Sequence, residues 1–278
     1  MAEICLASIG IDPSARPLVV LVQPPGACKA FTRSRSVYPP LGLCQVAATV
    51  LPAEVVILDA DGLGLDDAQA QAAILALQPH LVGFTVTSYT LELIEKFAAP
   101  LRDAGIVGMA GGPHASLAPL DVLARCASLD YVVRGEGEVI FPQLCERLRL
   151  DQSLIGLPGL CARRGREDIH LDPTIVQVQD FSALPFPRLQ GLPVERYFCP
   201  DARQRPMVTM MTTRGCPHRC GFCSSPVVMG KKVRGPSVQA VLDELTRLIS
   251  EHGVREISFV DDVFTINARR TLALCRGM

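Results

Sequence analysis

The stretch R-G-C-P-H-R-C-G-F-C, residues 214–223, lies between an apolar run at 207–213 that reads as a strand and a helical pattern at 237–252. It is therefore the loop of a βα unit, and its cysteines, Cys216, Cys220 and Cys223, have C-x3-C-x2-C spacing. Three thiolates on one tight loop can ligate three irons of a 4Fe-4S cluster and leave the fourth iron open to another ligand. Gly215, Gly221 and Pro217 suit a loop that curls its cysteines inward. A structural zinc site is the competing assignment, but zinc wants a fourth ligand at matching distance, and His218 sits inside the loop. The spacing favours the cluster.

Outward from the loop, a second strand is expected at 256–260, with a helix from 267 onward. Upstream, five apolar runs at 18–22, 55–59, 81–86, 106–110 and 131–133 alternate with amphipathic segments near 41–51, 66–77, 89–103, 117–126 and 138–148. Each strand is followed by a helix, which implies a doubly wound, flavodoxin-like parallel sheet covered on both faces. Residues 151–206 lose this period: a small hairpin across Gly165 is followed by Pro173, Pro185, Pro187, Pro193, Pro200 and Pro206. The expected organisation is an N-terminal extension over 1–17, an α/β domain over 18–150, a hairpin and proline-rich linker over 151–206, and two βα units of a barrel over 207–278.

Composition narrows the function. With 27 Lys+Arg against 28 Asp+Glu, the chain has no overall basic field for nucleic acid or an anionic membrane surface. No apolar run approaches the ~20 residues of a membrane helix. Residues 1–16 carry Glu3 and Asp12 where a secretory signal would be basic, so a cytoplasmic location is expected. Eight of the eleven cysteines are scattered singly through apolar segments, as small buried hydrophobes rather than a disulfide framework.

The cysteine loop resembles that of the radical SAM enzymes, in which it follows the first strand of a βα barrel. The resemblance implies that Cys216, Cys220 and Cys223 hold the cluster, that its open iron binds S-adenosylmethionine, and that Phe222 lies near the adenine. The family's acidic motif after the second strand corresponds to F-V-D-D-V-F-T, residues 259–265, where Asp261 and Asp262 would hold the methionyl amino group. These two also suit a helix N-terminal region, because Thr265 or Asn267 starts the next helix. Acidic groups at a strand's carboxyl end nevertheless sit where α/β ligands bind.

The carboxyl ends of the five upstream strands read Q-P-P-G, D-A-D-G-L-G, T-V-T-S-Y, G-G-P-H and R-G-E-G-E. The third end has no Asp for a phosphate receiver, and no G-x-G-x-x-G follows the first strand. With Y-P-P-L-G-L at 38–43, these ends are similar to the cobalamin-binding domain that precedes the barrel in one subgroup of radical SAM proteins. The resemblance implies cobalamin contacts at Pro39, Leu41 and Gly42, at Asp59, Asp61 and Gly64, at Thr87 and Ser88, and at Gly111, Gly112, Gly135, Glu136 and Gly137. Related cobalamin domains carry D-x-H-x-x-G with a cobalt-ligating His; aligned here, Asp61 stands in its place.

The function implied is reductive cleavage of S-adenosylmethionine with methyl transfer to an unactivated carbon of a small-molecule substrate. An electron donor such as flavodoxin or ferredoxin would serve it. An oxidative cyclase of the anaerobic magnesium-protoporphyrin ester type resembles the motifs equally well, and a non-catalytic corrinoid or metal-binding module is the alternative of another class. Two βα units fall short of a barrel, so a C-terminally truncated chain, inactive alone and with a loosely held second part, is expected.

Overall fold

The computed structural model describes residue 6, residues 10–12, 15–28, 37–165 and 168–278. Most of the expected 1–17 extension lies outside the described residues. The five apolar runs form β1 (Val19–Gln23), β2 (Val55–Asp59), β3 (Leu81–Thr85), β4 (Val107–Gly111) and β5 (Tyr131–Val133), in the order β2-β1-β3-β4-β5 and all parallel. This is the doubly wound arrangement that the strand–helix alternation predicts. Between the strands run α1 (Leu41–Ala47), α2 (Ala60–Leu63), α3 (Asp67–Leu77), α4 (Leu91–Asp103), α5 (Pro113–Leu117), α6 (Pro119–Arg125) and, after β5, α7 (Gly137–Arg149). The start of α3 is fixed by a capping box in which Asp66 and Gln69 each satisfy the other's backbone N–H.

Both faces of the sheet are buried, which is why its strands are apolar throughout rather than alternating. One face packs Val20, Val22 and Phe84 against Ile74, Ile94 and Phe97; the other packs Val19, Leu21 and Met109 against Leu43, Phe141 and Leu144. Phe84 and Phe97 meet edge to face with centroids 6.1 Å apart.

The 151–206 segment differs from a linker. Its hairpin, β6 (Leu160–Arg163) and β7 (Ile169–His170), pairs antiparallel with β5 and extends the sheet to seven strands. The proline-rich part then crosses the sheet as a strap, burying Leu189, Val194 and Tyr197 in the same core as β1 and β2. Prolines exclude regular hydrogen-bonded structure, but the apolar residues between them still have surface to bury.

The second part is a two-stranded parallel sheet of β8 (Met207–Met210) and β9 (Glu256–Phe259), with α8 (Ser225–Val228), α9 (Val238–His252) and α10 (Ala268–Gly277). Ser237 caps α9 by accepting from the Ala240 N–H, and Gly253 ends it in the left-handed region. The expected loose attachment is not what the core shows: Val208, Leu248 and Val254 are buried in the strap-side core of the first sheet.

Candidate functional site

The cysteine loop is closed at its neck. Arg214 and Arg234 exchange two backbone hydrogen bonds (N to O, 2.8 and 2.9 Å), and the Cys216 N–H donates to the Gly230 carbonyl at 3.0 Å. Gly215 has φ +95°, and a Cβ there would strike the Lys232 carbonyl, so the neck requires glycine. Cys216 is buried below the neck, whereas Cys220 and Cys223 are exposed at the tip, joined by a turn from the Cys223 N–H to the Cys220 carbonyl. Phe222 stands 95% exposed between them and lies outside the cavity described below. Among the described residues, no three His, Cys, Asp or Glu side chains converge on one point. The donor set still fits an iron–sulfur cluster: three free thiols share one loop, and two of them are unobstructed. Of the scattered cysteines expected to be buried, Cys28, Cys44, Cys126, Cys145 and Cys161 are, and burial pushes the thiols of Cys28, Cys126 and Cys145 up to about 12; Cys199 is half-buried, Cys275 is exposed, and Cys5 lies outside the described residues.

Beside the loop, Asp261 accepts from the Thr212 N–H at 3.0 Å, from Thr212 Oγ1 at 2.8 Å and from Thr213 Oγ1 at 2.5 Å. Its carboxylate thus ties the end of β9 to the end of β8. Asp262 accepts from Ser225 Oγ. Neither caps the next helix, a task done by Asn267 through the Arg270 N–H.

A cavity of about 840 Å³ opens between the carboxyl ends of β3, β4 and β5 and the second sheet. Of the residues expected to contact cobalamin, Leu41, Gly42, Gly111, Gly112, Gly135, Glu136 and Gly137 line it. Pro39, Asp59, Asp61, Gly64, Thr87 and Ser88 do not. Asp59 is fully buried, accepting from the Gly62 N–H at 2.9 Å and from Tyr197 Oη of the strap at 2.7 Å. Burial raises its carboxyl to about 6. Asp61 accepts from the Gly26 and Cys28 N–H groups, both at 2.8 Å, and so pins the loop after β1. Both acids therefore hold backbone rather than face the cavity. Thr87 is engaged with Thr90, and Ser88 Oγ meets His114 Nδ1 at 3.0 Å, while His114 Nε2 meets Asp121 at 2.9 Å. Both imidazole nitrogens are occupied.

Glu136, Glu138 and Arg214 at the cavity wall, with Arg234 behind them, form a charge set that sequence reasoning did not assemble. Glu136 and Glu138, on the R-G-E-G-E segment, face Arg214 and Arg234 from the neck of the cysteine loop. Glu244 of α9 also lines the cavity, held by two hydrogen bonds from Arg247. Glu138 was visible as part of a strand-end motif, but Arg234 and Glu244 carry no local signal.

Fold and site together define a class: an α/β protein whose cofactor-type sheet and cysteine-bearing βα units share one cavity. Residues 29–145 match the B12 binding domain, and residues 210–276 match the radical SAM superfamily. The chain belongs to the proteins that join a B12 binding domain to a radical SAM domain. It is 34% identical over 258 residues to an uncharacterized methyltransferase of Pyrococcus horikoshii, covering 91% of this chain and 55% of that one. It is 25% identical over 275 residues to the anaerobic magnesium-protoporphyrin IX monomethyl ester cyclase of Synechocystis, covering 94% and 52%. In fold it matches the radical S-adenosylmethionine methyltransferase TsrM of Kitasatospora setae, solved with cobalamin and a 4Fe-4S cluster, with a TM-score of 0.72 at 20% identity over 94% of this chain and 52% of that one. The chain spans about half the length of these relatives. Among the described residues, no helix is long and apolar enough to cross a membrane.

Proposed function

We propose that this chain carries the cofactor-holding part of a cobalamin-dependent radical SAM enzyme that methylates an unactivated carbon of a small-molecule substrate. The observation that carries the reading is the shared cavity, which brings the carboxyl ends of a B12-type sheet to a wall formed with Thr209, Met210 and Arg214, the residues that lead into the cysteine loop. When bound, the cluster and S-adenosylmethionine supply a 5'-deoxyadenosyl radical and cobalamin supplies the methyl group. Cys216, Cys220 and Cys223 would hold the cluster, with Phe222 free to cover the adenine. Leu41, Gly42, Gly111, Gly112, Gly135 and Gly137 offer the corrin an apolar and small-residue wall. Asp261, with both oxygens already engaged, keeps the strand ends together, and Asp262 is the better placed of the two to meet an ammonium group. Asp61, committed to the Gly26 and Cys28 N–H groups, and His114, with both ring nitrogens engaged, would not be free to serve as cobalt ligands. An electron donor of the flavodoxin or ferredoxin type would reduce the cluster, in the cytoplasm.

The cyclase reading rests on the similarity to the Synechocystis enzyme. Anaerobic incubation with methyl-labelled S-adenosylmethionine separates the two, because only methyl transfer carries the label into product. Deoxyadenosine released without labelled product favours the cyclase, and the absence of any reductive cleavage favours a non-catalytic module.

A further inference from the structure

The charge set at the cavity wall joins the two halves of the molecule at one point. Arg234 makes a two-pronged pair with Glu136 (NH1–Oε2 and NH2–Oε1, both 3.0 Å), and Arg214 reaches Glu138 Oε1 at 2.5 Å and Glu136 Oε1 at 3.4 Å. Glu136, Glu138 and Arg234 are buried, and Arg214 is the most open of the four at 13% side-chain exposure. Two acids and two guanidiniums cancel, so the set is tolerable as a whole but not with one member missing. The Phe181 ring of the strap lies 5.4 Å from the Arg214 guanidinium and 5.6 Å from that of Arg234. Glu136 is held in turn by the Val178 N–H, and Gly135 is fixed by close approach to the Val176 backbone. The acids thus stand on rigid support, and the arginines they hold are the two residues that close the neck around Cys216.

We infer that Glu136 and Glu138 are positioning residues for the cysteine loop: through Arg214 and Arg234 they tether its neck to the B12-type domain and fix Cys216 relative to the cavity. This inference rests on the cluster assignment above for its consequence, but the tether itself is testable without a cluster. In the anaerobic apo chain, alkylation of each cysteine is followed by peptide mass spectrometry. The neutral pair replacement Arg214→Met with Glu138→Leu, which leaves the Glu136–Arg234 pair intact, should raise the Cys216 rate at least tenfold and leave Cys145 unchanged. Arg214→Lys, which keeps the charge, should return Cys216 to within about threefold of the parent. After reconstitution, the paired variant should keep its iron but give a broadened electron paramagnetic resonance signal from the reduced cluster, whereas the single variant Arg214→Lys should give the sharp signal of the parent.

A Cys216 rate within twofold of the parent, or a parallel rise at Cys145, would overturn the tether. Failure of the parent chain to load iron would instead remove the cluster reading and leave the alkylation result standing.

Discussion

The two sheets of this chain bury their strands to different depths. In the seven-stranded sheet β1 is buried almost end to end and its core residues pack on both faces; in the two-stranded sheet β8 is largely buried but every residue of β9 is half-buried, and the core of its own comprises Met210, Val241, Leu245 and Leu274. The smaller sheet gains the rest of its packing from the larger one, through Val208, Leu248 and Val254 and through the strap. The first sheet is thus the foundation and the second is mounted on it, with the cavity at the seam.

Large-to-small substitution tests this asymmetry most strongly. Phe84→Ala, in the foundation, should cost about 3–5 kcal/mol in denaturant unfolding, whereas Phe259→Ala, half-buried and stacked on Phe264, should cost about 1–2 kcal/mol. Equal costs would break the comparison. The burial of Asp59, where it meets Tyr197 of the strap, should show itself through pH. Burial lifts the Asp59 carboxyl from 3.8 to about 6, so its protonated form is the one folding favours. The associated stability is fully present below about pH 3.8 and is lost as pH rises through about 6, amounting to about 3 kcal/mol. Relative to the parent, Asp59→Asn should lack this fall between pH 4 and 7 in urea titrations; an identical slope in both proteins would mean that the folded chain does not bury that carboxyl. The smallest effect belongs to the mounted part: Ser237→Ala, which removes the α9 cap, should cost about 1 kcal/mol. A loss above about 3 kcal/mol would mean that α9 supports more of the molecule than its packing implies.

The strands and most helices were legible in the sequence because each is written locally: Val19–Gln23 is an unbroken apolar run, and Asp66, Ser237 and Asn267 announce their helices with side-chain caps. The cysteine loop was legible for the same reason. What was not legible depends on partners far away in the chain. The Asp59–Tyr197 bond joins residues 138 apart, and the Glu136–Arg234 pair spans 98. Tyr197 and Arg234 have no distinguishing neighbourhood, so the strap read as a linker and the ion pair of Glu136 went unseen. The setting of Asp61 was hidden for a related reason: a motif alignment shows which residue stands at a position, not that two backbone N–H groups already engage it.

The stoichiometry of anaerobic reconstitution tests directly whether one seam serves two cofactors held by different parts of the chain. Iron, sulfide and cobalamin analysis should give one 4Fe-4S cluster and one cobalamin per chain. Replacing Cys216, Cys220 or Cys223 with Ala should abolish the iron and leave cobalamin bound, while Cys126→Ala and Cys145→Ala should change neither. One tightly held zinc that iron does not displace, or a chain that takes up iron but no cobalamin, would contradict it.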